Sequence, residues 1–110
     1  MSNIAQARTA LVARILEGEG KASRIQRRAA FDNAELATPL NKLIDKVTKQ
    51  AYRVTDEDIA VVKASGLSDD QIFEMVVCAA IGQAGRQYDQ ALRALKAATE
   101  RSEHAPRDSR

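Results

Sequence analysis

Two helix starts stand close together in this chain, with a glycine stop between them. Residues 54–95 read VTDEDIAVVKASGLSDDQIFEMVVCAAIGQAGRQYDQALRAL. Thr55 has N-cap chemistry, since its hydroxyl can accept from the free backbone N–H of Asp58. Asp56, Glu57 and Asp58 fill the first turn, where negative charge meets the positive end of the helix dipole. Ile59, Val62 and the stem of Lys63 follow at helical spacing. Gly66 stops this helix, because glycine reaches the left-handed conformation without a Cβ penalty. Ser68 opens the next one. Gln71 completes a capping box there, and Leu67 and Ile72 are placed for a hydrophobic staple. The run TDED lacks the glycine and the alternating oxygen ligands of a calcium loop, so it reads as a cap.

The second of these helices is long and uneven. Phe73, Val77, Ala80, Ala84, Tyr88, Ala91 and Leu95 step by four or three residues and share one face. Arg86, Asp89, Gln90, Arg93 and Lys96 lie away from it, so the second half is amphipathic. The first half differs. Ile72, Met75, Val76, Cys78, Ala79 and Gly82 make it apolar nearly all round, and such a helix is buried on every side. Either Met75, Cys78, Ala79 and Gly82 pack against another subunit, or this is a central helix wrapped by its own neighbours.

Upstream, residues 3–17 read as a helix with a stripe of Ile4, Ala7, Leu11 and Ile15, widened by Val12 and Leu16. Gly18 and Gly20 break it. Ser23 with Gln26 forms another capping box, opening a short helix from Arg24 to about Ala30. Arg24, Arg27 and Arg28 give that helix a basic side. It is an anion site or a solvated face, and the lack of interleaved aromatics favours the face. Phe31 and Leu36 anchor the connection that follows. Thr38 and Pro39 start a third helix, with a capping hydroxyl and then proline at the first helical position. Leu40, Leu43, Ile44, Val47 and Ala51 form its stripe, and it runs to about Arg53. Tyr52 closes the junction as a core-edge ring. After Leu95 the long helix is expected to fray through Ala98 and Thr99.

The chain has 110 residues, two prolines, five glycines and 4% aromatics. No β-branched run alternates. This is the composition of one all-α domain, a small bundle of about five helices with one long C-terminal helix. We assign residues 1–100 to it and 101–110, with the single His104, to a disordered polar tail. A core this small often gains stability by oligomerising. The net charge of +2 comes from 17 basic and 15 acidic side chains that interleave. It argues for neither a nucleic-acid nor a membrane partner. No apolar run approaches the ~18 residues of a membrane span, and no signal-peptide core opens the chain. One cysteine makes no internal disulfide, which fits the cytoplasm.

The residues also narrow the chemistry. Nucleophilic catalysis needs a base beside the nucleophile, and the one histidine lies in the tail. Too few His and Cys residues are present for a zinc site, and no glycine-rich phosphate loop appears. We expect no cofactor and no metal. Cys78 lies in an apolar segment where burial makes a thiol inert. Asp70 and Glu74 are either acid or base groups in a cleft or solvated charges near a favourable dipole end, which is the more common case.

Residues 40–95, through LNKLIDKVTKQAYR, VTDEDIAVVKASGLSDDQIFEMVVCAA and the helix past Ala84 and Tyr88, resemble the carboxymuconolactone decarboxylase and alkylhydroperoxidase D-like family. The resemblance implies an all-helical domain that assembles into trimers, hexamers or similar rings. The thiol peroxidases of that family use a Cys-x-x-Cys pair with a histidine and an acidic relay. This chain has no such pair, so none of those catalytic residues carries over. Two functions remain. One is a non-redox helical oligomer acting as a binding or structural module, with a separate protein partner as an option. The other is a small decarboxylase- or isomerase-type enzyme with an intersubunit pocket of Gln83, Arg86, Gln87 and Tyr88. There Arg86 would take a substrate carboxylate. Its simpler role is an i,i+3 ion pair with Asp89.

Overall fold

The computed structural model describes residues 3–104, with side chains as far as Arg101. Five α-helices follow in order: α1 (Asn3–Glu17), α2 (Arg24–Asp32), α3 (Leu40–Gln50), α4 (Asp56–Ala64) and α5 (Asp69–His104). A 3-10 turn, Ala51–Arg53, joins α3 to α4. No strand occurs among the described residues.

The caps form where the sequence places them. Thr55 Oγ1 accepts from the Asp58 N–H at 3.2 Å, and Asp58 Oδ2 accepts from the Thr55 N–H at 2.9 Å. Lys46 adds an ion pair to the same carboxylate at 2.8 Å, which ties α3 to the start of α4. Ser68 and Gln71 exchange the equivalent pair at 3.1 and 2.9 Å. So do Ser23 and Gln26. Gly66 takes φ +110°, the conformation that only glycine holds without strain.

α5 is the axis of the molecule. α1, α2, α3 and α4 all pack against it, α2 most extensively. Ile72, Met75, Cys78 and Ala79 of α5 join Leu16, Ala22, Ala30, Leu40, Leu43, Ile44, Val47 and Val62 in one buried cluster. Gly82 permits the closest approach, because a Cβ there would overlap the Phe31 carbonyl of α2. The first half of α5 is thus a central helix wrapped by its own chain. Met75, Cys78, Ala79 and Gly82 are fully covered within one protomer, so the subunit interface assigned to them is corrected.

Several local expectations also change. Thr38 makes no cap. The Thr38–Pro39 bond is cis, and α3 begins at Leu40 with Pro39 as the capping position and no side-chain cap hydrogen bond. α3 tightens into the 3-10 turn after Gln50. Tyr52 sits on that turn at 84% exposure, so it does not close the junction. α5 does not fray at Ala98. Residues 91–101 (ALRALKAATER) are mostly strong helix formers, and the helix continues to His104. Residues 101–104 of the expected tail are therefore helical, and 105–110 lie outside the described residues.

Candidate functional site on the long helix

The thirty-six residues of α5 rise about 54 Å. That exceeds what the four shorter helices cover, and the molecule extends to 65 Å along its long axis. Its two sides have opposite fates. The side that carries Met75, Cys78 and Gly82 faces the bundle. The other side carries the stripe from Phe73 to Leu95, and it faces solvent. Phe73 is 68% exposed and Leu95 64%. Tyr88, Ala80, Ala84 and Ala91 are exposed as well, and only Val77 is half-buried.

The charges are reversed to match. Five charged residues lie between Phe73 and Thr99: Glu74, Arg86, Asp89, Arg93 and Lys96. None falls on the stripe. Three of them are turned inward and bound to the rest of the chain. Glu74 accepts from the Lys21 and Ala22 N–H groups at 2.9 and 2.8 Å. Arg86 donates to the Phe31 carbonyl at 2.7 Å and to Gln83 at 3.0 Å. Asp89 takes both nitrogens of the Arg8 fork at 2.7 and 3.0 Å. In the second half of α5, Arg86 and Asp89 of the polar side meet the protein, while Ala84, Tyr88 and Leu95 of the apolar stripe meet water. Ordinary surface helices do the opposite.

α1 explains part of this. Its inward side is Ala5, Arg8, Val12, Ile15 and Leu16, while Ile4 and Leu11 of the expected stripe are exposed. Arg8 holds an inward position because it pairs with Asp89, donates to the Gly85 carbonyl at 3.3 Å and lies 5.6 Å from the Tyr88 ring centre. The ion pair holds Asp89 below the usual carboxylate range. An open groove of about 530 Å³ runs beside α5 here. Ile4, Ala5, Arg8, Thr9 and Val12 form one wall, with Phe31, Tyr88 and Leu92 opposite. It continues the uncovered stripe onto α1 at its Tyr88 end.

The four residues read as a pocket do not converge. Arg86 spends its fork on Phe31 and Gln83, and Asp89 belongs to Arg8, so neither role foreseen for Arg86 is taken. Gln87 is exposed, and Tyr88 lines the α1 groove.

A second cluster brings a nucleophile, an acid and a cation together under the α1–α2 loop. Burial dominates the Cys78 thiol and raises its pKa. The thiol is 1% exposed, and its Sγ–H points at the Ile15 carbonyl at 3.6 Å. Arg27 was expected on a solvated face with Arg24 and Arg28. It is instead 5% exposed, because its Nη1 donates to the same Ile15 carbonyl at 3.1 Å. Ile15 lies in the last turn of α1, where carbonyls lack helical partners. Desolvation pushes the Glu74 carboxyl up. The Lys21 and Ala22 N–H bonds, with Arg27 and Lys21 charge, outweigh it and leave the pKa lowered. Cys78, Arg27 and Glu74 thus fasten the end of α1 and its loop to α5. No group of three or more potential metal ligands occurs among the described residues. No helix among them is long and apolar enough to cross a membrane.

No protein-family model, curated protein or solved structure matches this chain.

Proposed function

We propose that this protein is a non-redox helical docking module, whose work is to hold another helix against the outer face of α5. The reversal of α5 carries the reading. A 33 Å strip from Phe73 to Leu95, about one helix wide, offers roughly 330 Å² of uncharged surface. The largest apolar patch on a single chain is commonly of about this size and is often functional. The groove with Ile4 and Leu92 adds to it. The resemblance of residues 40–95 to a family whose members assemble by helix packing points the same way. A buried, raised-pKa thiol supports a role without redox chemistry. It also fits a reducing compartment such as the cytoplasm.

The test is the native size of the protein in extracts of its own cells. The chain should elute in an assembly larger than a monomer, and Ala84→Glu should return it to monomer size. Ala84 is exposed, so the charge is tolerated by the fold and rejected by a helix docked there. Elution of both forms as monomers would contradict the reading.

A further inference from the structure

We infer that residues 3–14, the first three turns of α1, form a retractable arm that is latched against the second half of α5 by Arg8 on Asp89. The uneven fastening of α1 points to it. The last turn of α1 is built into the fold. Leu16 is buried in the core, and the Ile15 carbonyl accepts from Arg27 and from the Cys78 thiol. Glu74 holds the loop that follows. By contrast, none of residues 3–14 is buried. Ala5, Arg8 and Val12 are half-buried on the inward side, and Val12 packs against the core cluster.

Arg8 supplies the polar hold on α5. Its fork takes both oxygens of Asp89, and one nitrogen also reaches the Gly85 carbonyl. The two paired side chains stay 39% and 44% exposed. Salt weakens a pair so open to water. The arm does little to hold its own helix. Fewer than about 12–15 residues make a marginal helix in water. No acidic residue stands in the first turn of α1 to meet the dipole. Segments with few buried apolar contacts are the ones that open while the rest of a fold stays closed.

The place of the arm matters for the outer face. Docked, Ile4, Ala5, Arg8, Thr9 and Val12 wall the groove beside Tyr88 and Leu92. Those two are 45% and 46% exposed, against 64% for Leu95, which does not line the groove. Retraction bares Tyr88, Leu92 and the Asp89 carboxylate together. The arm is a salt-sensitive shutter on this part of the face. It moves in the single chain, so its motion does not depend on the docking reading.

Amide hydrogen exchange of the purified full chain, read peptide by peptide by mass spectrometry, tests the arm. Residues 7–14 should exchange well ahead of residues 43–48 in α3, and about 0.5 M sodium chloride should widen the gap. Asp89→Asn keeps the shape of the side chain and removes its charge. It should speed residues 7–14 about fivefold, the size expected of an exposed ion pair, and leave α3 unchanged. Equal exchange in the two segments would show α1 opening only with the whole molecule and would overturn the inference. So would an equal rise in both segments in Asp89→Asn. Fast exchange of residues 7–14 that neither salt nor Asp89→Asn alters would be fraying without a latch, and would overturn it as well. None of these outcomes bears on the elution of Ala84→Glu, so the arm and the docking reading fail separately.

Discussion

At the scale of single residues, the structure assigns unexpected weight to Arg27. A guanidinium 5% exposed is costly to bury, and its donation to Ile15 is what offsets the cost. Arg27→Ala should lower the unfolding free energy by about 3 kcal/mol in urea titration, since it empties a buried site and leaves the Ile15 carbonyl only the weak Cys78 thiol donor. Gly82→Ala gains about 1 kcal/mol of helix propensity. It should still destabilise by about 1–3 kcal/mol net, because the new methyl group meets the Phe31 backbone. Glu74 links stability to pH. Its folded pKa lies below its ordinary value of 4.5. Its contribution is therefore full above that value and is lost as pH falls through the folded pKa. Unfolding free energy measured from pH 6 to pH 3 should fall less steeply in Glu74→Gln than in the parent. Cys78 should resist a thiol reagent in the native protein and react once urea unfolds it.

At the scale of elements, three of the four expected helix caps were legible in the sequence, the Thr38 cap was not, and the faces were only partly so. A cap is local chemistry. Thr55 with Asp58, Ser68 with Gln71 and Ser23 with Gln26 each depend on residues three apart, and all three form. Which side of a helix faces in depends on residues far away. The periodicity of α5 marks a stripe, but nothing local says that Arg86 and Asp89 have inward partners in Phe31 and Arg8, 55 and 81 positions distant. Arg27 hid in the same way, since its partner is the backbone of Ile15. A signal was available for α5. The chain has one apolar row too many for a single buried face, with Met75, Cys78 and Gly82 on one side and Phe73, Ala84 and Leu95 on the other. The two faces make opposite predictions for substitution. Ile72→Ala, in the core, should cost about 2–5 kcal/mol of folding stability. Leu95→Glu should leave the far-ultraviolet circular dichroism spectrum intact and reduce the native size of the protein in cell extracts.

At the scale of the whole molecule, four short helices build a core on one side of a long one and leave its other side uncovered. The bundle packs on one side of α5 and orients it, and the outward row of uncharged residues faces solvent. On the inward side, beside the buried Ile72, Met75 and Cys78, lie three charged residues with partners in the rest of the chain, Glu74, Arg86 and Asp89. They fix α5 against α1 and α2, and the outer face is free to consist of Phe, Val, Ala, Tyr and Leu. The central claim is that this face holds the helix of a docked partner. The native size of the protein in extracts of its own cells, measured beside Ala84→Glu, tests it most directly. An assembly larger than the 12.0 kDa monomer is expected for the parent chain, and monomer size for Ala84→Glu. Elution of the parent chain at 12.0 kDa would contradict it.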